Sequence, residues 1–104
     1  MDIPARHGDR FKAKNDISVK GGGVIRKGSD VEGVAVIARG SQIREVDRLI
    51  ATHKLPDGKS TRASDWTKRA AMANVTDDKG ATRKAEVHYY QADGIGKVEF
   101  KIKK

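Results

Sequence analysis

The stretch "AEVHYYQADGIGKVEFKIKK", residues 85–104, carries the side chains best suited to chemistry. Glu86, His88 and Tyr90 alternate with apolar residues, and Lys101 and Lys103 do the same further on. Alternate residues of an extended chain share a face, so these polar groups fall on one side. An imidazole titrates near neutrality and can take or give a proton. Lysine ammonium groups hold phosphate, and arginine grips it with two parallel hydrogen bonds. A tyrosine can donate a hydrogen bond or stack on an unpaired base. Together they suit RNA cleavage without a metal. That reaction needs a base for the 2′-hydroxyl proton, an acid for the departing 5′-oxygen, and cations around the phosphorane.

His88 is the expected main proton carrier, with His53 or Glu86 as the second and Tyr90 on the same face. Lys68, Arg69, Lys101 and Lys103 are the expected phosphate binders. Each has a plainer reading. A surface histidine on a strand is usually inert. His53 falls at the end of a helix, where a cation meets the C-terminal dipole. Trp66, the only tryptophan, is a core anchor or a platform for a base. Lysines on a last strand also discourage edge pairing. His7 sits in a loose lead-in and has no expected role. No HExxH, thiolate pair or ligand-spaced acid cluster points to a metal, and no cofactor is expected.

The composition fits a polyanion as partner. The 104 residues suffice for one small domain. Lys and Arg number 22 against 14 acids, a formal charge of +8, which attracts nucleic acid, an anionic surface or an acidic protein. There is no cysteine, so disulfides and thiolate metal sites are excluded. No apolar run approaches the ~18 residues of a membrane span, and no signal peptide is expected.

An α+β domain is expected to position these residues. Residues 1–10 read as a basic lead-in, and residues 1–40 as an N-terminal arm with a strand at 31–38. The Gly21-Gly22-Gly23 run lacks the GxxxxGK[ST] pattern and reads as a flexible turn rather than a phosphate loop. A helix is expected over 41–53, capped by Ser41, with Ile43, Val46, Leu49 and Ile50 in one stripe. Leu55-Pro56-Asp57-Gly58 ends it. Three antiparallel strands follow at 67–76, 82–91 and 97–103, the first two joined through the turn at 77–80. The helix is expected on the side of Ala71, Ala73, Val75, Ala85, Val87, Tyr89, Val98, Phe100 and Ile102. Glu86, His88, Tyr90, Glu99, Lys101 and Lys103 are expected on the other, open side.

With "DWTKRAAMANVTD" and "KAEVHYYQADGIGKVEFKIKK" behind a helix, residues 41–104 resemble the C-terminal toxin domains of bacterial polymorphic toxin systems. Among these they look most like the superfamily grouping barnase, EndoU, the tRNase colicins and RelE. The resemblance implies a metal-independent ribonuclease acting on RNA, often tRNA. It implies delivery by contact-dependent growth inhibition or a related route, as the C-terminal part of a larger secreted or surface protein. It further implies action in the cytoplasm of a target bacterium and neutralisation by an immunity protein, here an acidic one covering the basic face. His88 matches a place where such enzymes put a catalytic group. The rival reading is a non-catalytic, basic nucleic-acid-binding module in which the same lysines and Tyr90 hold a strand. A third is a structural piece of a phage or secretion system.

Overall fold

The structure, a computed structural model, describes residues 9–103. Most of the expected lead-in, with His7, and the terminal Lys104 lie outside the described residues. The arrangement is α+β and mostly antiparallel sheet. Its strands are β1 (Asp9–Lys12), β2 (Ile17–Val19), β3 (Gly23–Ile25), β4 (Asp30–Arg39), β5 (Trp66–Thr76), β6 (Thr82–Ala92) and β7 (Gly96–Ile102). A single α-helix among the described residues, α1, spans Val46–Thr52.

The β5–β6 hairpin is the spine. It pairs without interruption from Trp66↔Ala92 to Thr76↔Thr82. Asp77 closes it: its Oδ1 accepts from the backbone N–H of Lys79 and Ala81, each at 2.9 Å. This is the turn chemistry expected of an aspartate before Lys-Gly. β4 pairs along the other edge of β5, and β1 pairs with β4. The expected N-terminal arm therefore contributes four strands to the same sheet.

The Gly21–Gly23 run is a packed hairpin turn rather than a flexible one. Gly23 takes φ +122, and a Cβ there would collide with the Thr76 carbonyl. Only glycine lets β3 come this close to β5. The turn also aims the end of β2 at β7. Lys20 donates its backbone N–H to the Phe100 carbonyl at 2.9 Å and accepts from Ile102 N–H at 3.0 Å. The sheet thus curls until β2 meets β7.

Inside the curl lies the main core: Val19, Ile25, Val31, Val34, Ala71, Ala73, Val75, Ala85, Val87, Tyr89 and Phe100, with Ala13. Phe100 stacks on Tyr89 at 4.5 Å between ring centres, and Phe11 meets Tyr89 edge-on at 6.0 Å. Such pairs contribute roughly 0.5–1.5 kcal/mol each beyond the area they bury. Burial pushes the Tyr89 hydroxyl up to about 12.

The expectation for the helix needs two corrections. Residues 40–42 form a 3-10 turn, and the α-helix begins only at Val46. Ser41 makes no cap; Gln42 Oε1 accepts the Arg39 N–H at 3.1 Å instead. Ile43 adopts an extended conformation and is buried, which breaks the helical run that its spacing suggested. Tertiary burial outweighs a helix propensity of a few tenths of a kcal/mol per residue. The side of the sheet also differs. The Ala85, Val87 and Tyr89 side is filled by the N-terminal strands. Val46 and Leu49 instead cluster with Ile43, Trp66, Tyr90 and Ala92, from the opposite side.

Candidate functional site

The outer side of the hairpin carries Lys68, Ala70 and Met72 on β5, opposite Tyr90, His88 and Glu86 on β6. On β7 the register shifts. Val98 faces Tyr90 and Lys101 faces His88, so Glu99 and Phe100 together oppose Tyr89. Glu99 is the residue that absorbs the extra step, with φ +58. Such bulges re-aim side chains. Phe100 turns inward onto Tyr89, and Lys101 turns outward beside His88.

Lys20, Gly21, Lys68, His88, Lys101, Ile102 and Lys103 line one depression. The sequence-predicted His88, Lys68, Lys101 and Lys103 are therefore brought together. Lys20 joins them through its backbone lock to β7. Among the described residues, none of these four lysines forms an ion pair with a carboxylate. Their clustered positive charge is only partly offset, by Glu45 near Lys101 and Glu86 near Lys103, and an anion offsets it further.

His88 is mostly covered, its side chain 13% exposed. Its Nε2 lies 2.9 Å from Glu86 Oε2. That hydrogen bond holds the Glu86 carboxyl below its usual range, helped by the charges of Lys103 and His88. The ionised carboxylate fixes the ring orientation and favours a proton on Nε2, which leaves Nδ1 for a substrate proton.

Two further depressions continue the first. Lys68 and Lys101 pass into one lined by Ile37, Gln42, Arg44, Glu45 and Tyr90. Lys20 and Lys101 pass into another with Arg48 and Glu99. In the latter, Arg48 is saturated by carboxylates. Its Nη1 and Nη2 donate to Glu99 at 3.2 and 2.7 Å, and Nη2 also donates to Glu45 at 2.7 Å. Glu99 Oε2 also lies 2.6 Å from His53 Nε2. Glu99 is held below its usual range chiefly by Arg48, then by His53. Arg48 is raised in turn, chiefly by Glu99 and then by Glu45.

Several expectations are corrected. His53 does not line the lysine depression; it ends α1, pairs with Glu99 and tilts against Trp66 at 5.8 Å. Trp66 is fully buried, and its Nε1 donates to Thr61 Oγ1 at 2.8 Å, so it offers no face to a base. Arg69 pairs with Tyr89, on the inner side, and its Nε donates to Thr67 Oγ1 at 3.1 Å. It cannot share a phosphate with His88. The Tyr90 ring is buried rather than open; only its rim reaches the groove, with the hydroxyl donating to Glu45 Oε1 at 3.3 Å. Burial raises Tyr90, and Glu45 adds to it.

The sequence reading missed Lys20, Arg48 and Ile37. Lys20 stands before a glycine turn whose packing needs β7, and nothing local announces that. Arg48 falls on the polar side of a helical stripe, where it reads as solvated. Glu99 was placed on the open side, but the bulge that positions it carries no glycine as a signal.

Among the described residues, no group of three or more His, Asp or Glu gathers as metal ligands, and no helix is long and apolar enough to cross a membrane. Comparison with protein-family models, with curated proteins and with solved structures finds no match for the chain.

Proposed function

We propose that this chain is a metal-independent ribonuclease whose site is the His88 depression. The observation that carries the reading is the meeting of a carboxylate-oriented histidine with four lysines in one hollow. His88 takes the 2′-hydroxyl proton of a bound strand. The 2′-oxygen then attacks the adjacent phosphorus, and the P–O5′ bond breaks, leaving a 2′,3′-cyclic phosphate. Lys101, directly across from His88, supplies the proton to the departing 5′-oxygen. Lys20, Lys68 and Lys103 balance the charge that grows on the phosphorane. Glu86 orients His88, and the pairing of His53 with Glu99 argues for giving it no proton-transfer step.

The resemblance to polymorphic toxin domains makes tRNA the proposed substrate and the cytoplasm of a target bacterium the proposed place of action. An acidic immunity protein is the proposed natural inhibitor, since opposite potentials steer and specify such complexes.

Purified protein incubated with total RNA in EDTA, beside His88→Ala, tests the reading. Discrete fragments ending in cyclic phosphate, lost in the variant, are expected. Intact RNA that is nonetheless retarded on a gel would replace the enzyme with a binding module. Cleavage that disappears with EDTA would overturn the metal-free mechanism.

A further inference from the structure

A second β-bulge lies at the groove, on β4. Val36 pairs with Arg69 and Ala38 with Lys68, so Ile37 is the extra residue. It is 48% exposed, more than any other large apolar side chain among the described residues. A bulge that turns an isoleucine into water does nothing for the core, because that area stays solvated. Ile37 nevertheless forms one wall of the depression that continues the lysine hollow through Lys68 and Lys101.

The same lining carries polar groups with spare hydrogen-bonding capacity. Gln42 Oε1 is used by Arg39 N–H, which leaves the Gln42 amide N–H groups as donors. Arg44 is exposed and brings a bidentate donor fork. Glu45 Oε1 is occupied by Arg48 and Tyr90, which leaves Oε2 to accept. Arg48 holds the Glu45 carboxyl below its usual range, so it is an acceptor at neutral pH. An exposed apolar side chain beside mixed donors and acceptors, next to ammonium groups, suits a flat heterocycle attached to a phosphodiester.

We infer that the Ile37 depression is a nucleobase subsite, in which an unpaired base of the bound strand packs on Ile37 and is read by Gln42, Arg44 and Glu45. The neighbouring phosphate then sits on Lys68 and Lys101. This deepens the proposed function and rests on it for the strand's identity. With Trp66 buried and outside the groove, any base preference has to come from other groups. The preference comes from edge hydrogen bonds, where a missing partner leaves a polar group unpaired.

Binding of non-cleavable strands tests this apart from catalysis. The probes are 2′-O-methyl octamers that are abasic except for one central A, C, G or U, titrated against an all-abasic octamer. Wild type is expected to bind at least one of the four about tenfold more tightly than the abasic strand, within the range that one set of base-edge hydrogen bonds supplies. Ile37→Ala and Arg44→Ala are expected to erase most of that difference while leaving the abasic affinity nearly unchanged. Both residues are exposed, and a circular dichroism melt checks that the variants fold. Equal affinity for all five strands overturns the subsite, as does a base preference that survives both substitutions. Failure of the ribonuclease reading shows separately, as RNA left intact by the wild type.

Discussion

Lys101 stands directly across from His88, and the bulge at Glu99 is what puts it there. Between Ala92↔Gly96 and Tyr90↔Val98 the ladder is regular. Continued without the extra residue, it would set Phe100 against His88 and turn Lys101 into the core. One left-handed residue therefore exchanges an aromatic ring for an ammonium group at the candidate site. A one-residue slip always flips faces in a strand; here the flip is built in.

Glycine should be kinder than alanine at this position. Both substitutions remove the carboxylate, but alanine keeps the cost of a positive φ, about 1 kcal/mol. Glu99→Gly is expected to be more stable than Glu99→Ala by roughly that amount in urea denaturation. Elsewhere in a strand the order is the reverse. An alanine variant as stable as the glycine one would show that residue 99 is not held left-handed.

Acid should expose the same residue differently. The carboxyl of Glu99 is lowered in the folded chain from an ordinary value near 4.5 by Arg48 and His53. Its stabilisation is complete above that ordinary value and is lost as the pH falls through the lowered one. Wild type should therefore exceed Glu99→Gln in stability at pH 6, with the gap closing towards pH 3. A gap that stays constant over that range would remove the ion pair from the account.

In cleavage assays His88→Ala is expected to lower the rate by about 10²–10⁴-fold, the span of a lost general base. Glu86→Gln should cost less, since it leaves the imidazole in place and loosens its orientation. RNA affinity should change little in either variant. A Glu86→Gln loss as large as that of His88→Ala would make Glu86 the proton carrier.

The lysines make a quantitative prediction through salt. Each ammonium group bound to a single-stranded phosphate contributes about 0.7 to the slope of log affinity against log salt. Replacing Lys20, Lys68, Lys101 and Lys103 with glutamine one at a time should lower the slope by about that much each time. Lys84, which reaches Glu32 at 3.9 Å, serves as the control with no change. If Lys20→Gln behaves like Lys84→Gln, β2 does not contribute to binding.

The glycine turn can be tested by melting. Gly23→Ala meets both a φ of +122 and the Thr76 backbone, whereas Gly28→Ala meets only a φ of +89 with open space around it. The first should cost at least about 2 kcal/mol and the second about 1. For a domain of this size each kcal/mol lowers Tm by about 4–8 °C.

The three C-terminal strands were legible because alternation and turn residues act locally. Asp77 and Gly80 announce the β5–β6 hairpin, and Ala85, Val87 and Tyr89 announce its buried side. His88 and Lys101 were placed together for a reason only half right: the expected straight strand would have separated Lys101 from Phe100, but not in the register that the bulge sets. Tyr90 misled because Trp66 and α1 cover its end of that side, while His88 further along still lines the lysine depression. Arg69 misled because a basic residue on β5 can face either way, and its partner Tyr89 decides. Lys20 was illegible because its place depends on hydrogen bonds to a strand near the other end of the chain.

That last dependence has a consequence in time. The backbone bonds between Lys20 and β7 join segments near opposite ends of the described chain, and contacts of such separation form slowly. The hairpin of β5 and β6 pairs residues close in sequence, but the four-lysine hollow cannot exist before β7 docks against the end of β2. Any molecule that holds β7 away from Lys20 takes the candidate groove apart, because Lys20 reaches it only through those two backbone bonds.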